Sequence, residues 1–218
     1  MVLLTNIGLL ATPVGRHALA GAQQGEITLL EHAWLAMDDG VILAMGQGQA
    51  PERFCCGQQI DVQGQLVTPG LVDAHTHLVF GGWREHELAM KRQGVPYLEI
   101  LAQGGGILST VKMTRAASEE ALTRKAQDAL AQMLRLGTTT CEAKSGYGLD
   151  VDTELKQLRV NRRLGEIQPV ELVSTYLGAH ALPTEYRDDR EGYLRLMCQQ
   201  MIPRVAQEKL ASFCDVFC

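Results

Sequence analysis

The sequence predicts an α/β fold in which a small β-domain segment, residues 1–66, precedes the first half of a (β/α)8 barrel, residues 67–218. Three observations carry this expectation. Short aliphatic or β-branched runs recur at Leu71-Val72, Thr138–Glu142, Glu171–Leu177 and Phe213–Phe217, with helical periodicity before or between them. The first 66 residues instead hold paired apolar runs about short turns. A His-x-His pair, His75 and His77, ends the first of the later strands, where parallel barrels place their chemistry.

In chain order, Ala33–Met37 and Val41–Met45 flank Asp38-Asp39-Gly40, a hairpin signal. Asp61–Val67 repeats it with a Gln63-Gly64 turn. Pro69-Gly70 is a turn, and Leu71-Val72 opens a buried strand. The stretch from Leu78 to Ala117 is too long for a simple crossover and reads as an active-site excursion. Ser118 is an N-cap residue; Leu122, Ala126, Ala129, Leu130 and Met133 form one apolar stripe, and Gly137 stops that helix. Thr138–Glu142 is the second barrel strand. Asp152 caps a second helix ending near Gly165, and Glu171–Leu177 is the third strand. Leu194, Met197 and Met201 mark a third helix with Pro203 near its end or at a break, and Phe213–Phe217 is the fourth strand.

Composition excludes several classes. At 46% hydrophobic and 21% charged, the 218 residues are ordinary for a globular protein. A net charge of −5 argues against a nucleic-acid partner. No apolar run reaches membrane-spanning length, and Met1–Asn6 lacks the basic region of a secretory signal. The six cysteines form no C-x-x-C, and Cys55-Cys56 are adjacent, so a reducing cytoplasm is expected, with Cys141 and Cys214 as buried free thiols.

Strand periodicity points His75 and His77 to one side, where two neutral imidazoles can share a metal ion. The other candidates are less specific on their own. Arg84 suits a carboxylate, which a guanidinium grips bidentately, or equally a surface pair with Glu85 or Glu87. Tyr147 lies between Gly146 and Gly148, where the backbone can approach a ligand; Tyr97 is a weaker candidate. His180 follows the third strand and is structural or substrate-contacting. Gly104-Gly105-Gly106 lacks the Lys-Ser/Thr of a phosphate loop and reads as a flexible loop. His17, His32 and His86 carry no argued role.

The run Pro69-Gly70-Leu71-Val72-Asp73-Ala74-His75-Thr76-His77 resembles the opening of the metal-dependent hydrolase (β/α)8 TIM barrels of the amidohydrolase superfamily. Phe80–Glu85, Gly104–Ile107, Thr114-Arg115, Lys144–Leu149, Leu177–Pro183 and Phe213–Cys218 resemble one of its families, the imidazolonepropionases. The resemblance implies opening of the ring of 4-imidazolone-5-propanoate, a small-molecule substrate, to N-formimidoyl-L-glutamate in histidine degradation. It implies one zinc or iron ion on His75 and His77, and substrate binding by Arg84, Tyr97, Tyr147 and His180, the last also catalytic. Lys144 follows the second strand rather than the fourth, so a lysine bridge between two metals is not expected. The family continues past Phe217, which implies that the chain holds about half of an enzyme. Its β-domain would be completed by a later tail, and its remaining ligands and general base would lie beyond Cys218. Taken alone the chain is then expected to be inactive and to associate, a homodimer being one form. Another cyclic amidohydrolase, or an inactive half-barrel association module, are the competing readings.

Overall fold

A computed structural model describes residues 1–15 and 17–217 of the chain. The chain forms two compact units, Met1–Pro69 and Gly70–Cys218. The last residue of the Phe213–Cys218 run lies outside the described residues.

The first unit is built on β1 (Val2–Pro13), β2 (Ile27–Asp38), β3 (Val41–Gln47), β4 (Gln58–Asp61) and β5 (Leu66–Val67). β1 and β2 are antiparallel, with Leu3 opposite Ala36, and β2 pairs antiparallel with β3 across the expected Asp39-Gly40 turn. Both turn residues take positive φ, as a tight hairpin requires. Alternation along β2 serves two clusters: Trp34 and Ala36 pack with Leu3 and Phe54, while Ala33 and Leu35 pack with Ile7 and Leu10.

The expected second hairpin does not form. β4 and β5 do not pair with each other; each runs parallel to β1, at Val2–Thr5 and at Leu9-Leu10. Gln63-Gly64 does turn, both at positive φ, but the Gly64 amide donates to the Asn6 carbonyl at 2.7 Å, stepping the chain over the irregularity in β1. A turn signal marks where the chain bends, and the choice of pairing partner was tertiary.

The second unit contains four parallel strands in the order β6-β7-β8-β9. They are β6 (Leu71–Thr76), β7 (Thr138–Lys144), β8 (Glu171–Ala179) and β9 (Phe213–Val216). The Leu78–Ala117 excursion is not irregular: it carries α1 (His86–Arg92), α2 (Tyr97–Ala102) and α3 (Gly106–Ala116). α4 (Glu119–Arg135) follows, and the Ser118 hydroxyl accepts from the Ala121 amide at 3.2 Å, as its cap position predicts. Leu122, Ala126 and Leu130 bury against Cys141, Ala143, Val160 and Leu164.

α5 (Val151–Ile167) is capped by Asp150, not Asp152, and continues past Gly165. The Asp150 carboxylate accepts from the Thr153 amide at 2.7 Å and the Thr153 hydroxyl at 3.0 Å. Leu149 stands at positive φ just before it, which brings the chain into the helix one residue pair earlier than spacing suggested. The third crossover is α6 (Arg190–Leu196), a π-helical turn at Met197–Met201, and α7 (Ile202–Gln207). Pro203 cannot donate to the turn before it; the ladder widens there and the proline falls in the first turn of α7. Cys141 is buried as expected, but Cys214 is exposed, because β9 pairs only with β8 among the described residues. The five described cysteines are free thiols, and no described helix is long and apolar enough to cross a membrane.

The cap assignment gives a direct test. Asp150→Ala should lower stability by about 1 kcal/mol in urea unfolding, the usual worth of an N-cap side chain. Asp152→Ala, at a side chain 93% exposed, should change it by at most a few tenths, the reverse of what spacing alone suggests.

Candidate metal and substrate site

β6 delivers His75, and His77 stands one residue beyond its end. Their ring centroids are 6.1 Å apart. The two rings stand at 72° to each other at the carboxyl end of the strand, near enough to be candidates for one shared ion. The Nδ1 of His77 lies 3.0 Å from the Ser145 carbonyl, which can only accept, so Nδ1 carries the proton and the lone pair of Nε2 is free. Burial, helped by the neighbouring His180, pulls the His77 pKa down to about 4, so the ring is neutral near pH 7 and fit to ligate. His75 is exposed, its amide held by the Asp73 carboxylate at 3.3 Å. No group of three His, Cys, Asp or Glu poised for a metal occurs among the described residues. A catalytic metal site needs about three protein ligands, so the candidate pair does not make one by itself.

His180 closes on the same point. Its ring stacks on His77 at 4.5 Å and 10°, and its Nδ1 donates to the Gly146 carbonyl at 2.9 Å, leaving Nε2 as acceptor. Burial lowers its pKa as well. Tyr147 touches both rings, at 4.9 Å from His77 and 5.2 Å from His180. Its pKa is raised chiefly by burial, with Arg84 pulling the other way and Tyr97 adding to the rise. Arg84 and Tyr97 therefore reach Tyr147 electrostatically without packing into the imidazole cluster. Arg84 lies 3.9 Å from Glu87, and Tyr97 is half exposed beside Gly106.

Several residues that hold this site had no sequence signal of their own. Glu154, wholly buried on α5, accepts from the amides of Gly146, Gly148 and Leu149 at 3.1, 2.8 and 2.8 Å. Gln157, one turn on, accepts from the Tyr147 amide at 3.2 Å and donates to the Val79 carbonyl at 2.6 Å. One helix thus positions both the Tyr147 loop and the chain leaving His77. An acidic residue early in a helix signals a favourable dipole position and nothing more, so the sequence alone did not single Glu154 out. Glu87, also buried, accepts from the Gly106 amide at 2.6 Å, so the triple-glycine segment begins α3 and is tied down.

Lys144 is the centre of an ion cluster. Its Nζ donates to Glu142 at 2.9 Å and Asp215 at 2.8 Å, and the Thr175 hydroxyl donates to Glu142 at 2.6 Å. Burial pulls the Lys144 pKa down, but these bonds outweigh it and hold it above the usual lysine value. A cavity of about 360 Å³ opens beside His180, lined by Leu182, Tyr193, Met197 and Phe217. A larger one, about 1020 Å³, lies between α3 and Pro183–Glu185. Two of its charged wall residues, Arg115 and Glu185, are paired with each other, and Arg115 also pairs with Asp150.

The parallel β/α sheet with a His pair at its first strand's carboxyl end has the half-barrel architecture of solved hydrolases and deaminases. Solved structures share the fold. Guanine deaminase of E. coli superposes with a TM-score of 0.60 over 95% of this chain and 44% of that one, at 14% identity. 5-Methylcytosine deaminase of Klebsiella pneumoniae gives 0.56 over 99% and 51%, at 16% identity. A zinc-complexed atrazine chlorohydrolase of Arthrobacter aurescens gives 0.54 over 81% and 36%, at 17% identity. By sequence the chain is a relative of the imidazolonepropionases. It is 49% identical over 221 residues to that of Alkaliphilus metalliredigens, covering 100% of this chain and 52% of the relative. The Bacillus velezensis protein is 52% identical over 215 residues, covering 99% and 51%. The chain spans about half the length of the curated relatives it matches. No family model matches it.

The depressed His77 pKa has a pH signature in the metal-free chain. The unfolded ring binds its proton near pH 6.5, the folded ring near 4, so the unfolded state holds more protons in between. Stability should therefore be full above about pH 6.5 and fall as the pH drops toward 4. Urea midpoints in EDTA across that window should decline, and His77→Gln should flatten part of the decline.

Proposed function

We propose that this chain is part of an imidazolonepropionase, a cytoplasmic hydrolase opening 4-imidazolone-5-propanoate to N-formimidoyl-L-glutamate in histidine degradation. The observation that supports it most is the match of about half the residues along the whole chain to proteins of that name. We place one zinc or iron ion on Nε2 of His77 and on His75, imidazole suiting either metal. The remaining ligands and the general base come from outside the described residues. When bound, the ion lowers the pKa of its water toward neutrality.

The chain's own residues account for placement and proton handling. The substrate carries a carboxylate tail, and Arg84 is the guanidinium that would grip it bidentately. The phenols of Tyr147 and Tyr97 complete that side; with its pKa raised, Tyr147 keeps its proton and donates. Neutral His180 presents Nε2 to the ring, a hydrogen-bond acceptor for a ring N–H that can move that proton once water has added to the carbon between the two ring nitrogens. Breaking one C–N bond of that carbon then opens the ring. Fixing tail and ring together restricts attack to one geometry.

A second reading concerns association. Leu71, Val72 and Phe213 on the two outer strands of the barrel sheet are each more than half exposed. Open edges with apolar side chains pair with another chain, so a second copy of this chain is a fitting partner. Light scattering of the purified chain decides this: a dimer supports it, and a monodisperse monomer removes it.

Two outcomes test the catalytic proposal. His75→Ala and His77→Ala should each lose bound metal; full occupancy in both variants would remove the pair as ligands. Arg84→Lys should cut kcat/KM of the assembled enzyme by about tenfold or more, the 1.5–3 kcal/mol of a charge-assisted hydrogen bond, with the thermal melt unchanged. An unchanged kcat/KM takes Arg84 out of the site.

A further inference from the structure

The eight residues from His77 to Arg84 must bring the metal side and the carboxylate side of the site into register. Their course is fixed by few contacts. Leu78 and Val79 are buried, the Val79 carbonyl accepts from Gln157 at 2.6 Å, and the Gly81 amide donates to the Thr114 hydroxyl at 2.9 Å. Gly81 and Gly82 lie so close to Met113 that a Cβ at either would collide with it. The remaining anchor arrives from α4. The ammonium of Lys125 donates to the Phe80 carbonyl at 3.1 Å and also to the Gly82 carbonyl. The same nitrogen sits over the Phe80 ring at 3.3 Å from its centroid and over the Trp83 ring at 3.8 Å. The two rings meet edge to face at 5.3 Å and 90°.

One cation thus fastens two carbonyls and two aromatic faces in a four-residue turn. Trp83 is 62% exposed and precedes Arg84 directly, so little besides Phe80 and Lys125 holds its ring. On the other side the Phe80 ring lies 6.0 Å from Tyr147, which touches His77 and His180. Helix α4 carries no residue of the proposed site, yet this side chain connects to both halves of it. Partial burial in the ring pair draws the Lys125 pKa down to about 8, with Glu85 opposing the fall. The amine is partly buried and held by both rings and both carbonyls.

We infer that Lys125 is a positioning residue: its ammonium sets the Phe80–Trp83 turn and thereby aims Arg84 at the carboxylate of the ligand. This rests on the carboxylate role of Arg84 proposed above. A lysine suits the place because three N–H donors on a compact cation can serve two carbonyls and still face a ring. Arginine retains charge and stacking; methionine retains only the stem.

The test uses the full chain with Trp34→Phe, which leaves Trp83 as its single tryptophan. Lys125→Met should red-shift Trp83 emission and raise its access to iodide, and Lys125→Arg should restore most of both. The second readout is binding of imidazole-4-propionate, a stable carboxylate probe. Lys125→Met and Arg84→Met should each weaken it about tenfold, and the double variant should be no weaker than Arg84→Met alone, because the two act as one unit. Equal weakening by Lys125→Met whether residue 84 is Arg or Met would overturn the inference. So would a Trp83 signal and probe affinity left unchanged by Lys125→Met. Probe binding by the wild type that Arg84→Met leaves intact would instead sink the carboxylate reading, and the positioning role with it. A purely structural lysine would lower the melting temperature without the Arg84-dependent loss.

Discussion

Glu154 is the side chain on which the site's geometry depends. A carboxylate removed from water is costly unless its lone pairs are taken up, and here three backbone amides of the Gly146–Leu149 loop take them. Burial drives its pKa upward, and those bonds act against the rise. The loop so held presents the Gly146 carbonyl to His180 and the Tyr147 ring to His77. Gln157 repeats the device one turn later, joining Tyr147 to Val79. A glycine-containing loop, free to wander by composition, becomes a rigid wall because a helix beneath it satisfies its amides.

Charge is distributed with equal economy. The imidazoles of His77 and His180 are kept neutral by burial, with carbonyls directing their protons away from the point where the rings converge. The strong charges are paired with one another: Lys144 between Glu142 and Asp215, within electrostatic reach of His75 and His77, and Arg115 between Asp150 and Glu185. What remains for a ligand is a set of lone pairs, two phenols and one guanidinium at 3.9 Å from its nearest carboxylate. That combination suits a cation at one end and a carboxylate at the other.

The barrel strands, α4 and its cap, the His pair and the family resemblance were all legible in the chain. Each rests on local pattern: β-branched runs, a serine before an apolar stripe, imidazoles at strand spacing. The misreadings were of another kind. Asp152 is as good a cap by type as Asp150, and only the backbone turn at Leu149 decides between them. Asp61–Val67 contains a true turn, yet its flanking strands both chose β1. Cys214 reads as buried by its neighbours and is exposed at the end of the sheet.

The sequence by itself determined the class of fold and singled out the candidate metal donors and substrate groups, because side-chain type and period act over a few residues. Tertiary structure alone decided that His180 stacks on His77, that Glu154 and Gln157 hold the Tyr147 loop, and that Lys125 reaches the rings of Phe80 and Trp83. Each of those contacts joins groups on different elements. A hydrogen bond or a ring contact works only at a set distance and angle, and such distances are fixed by how helices pack on the sheet, not by spacing along the chain.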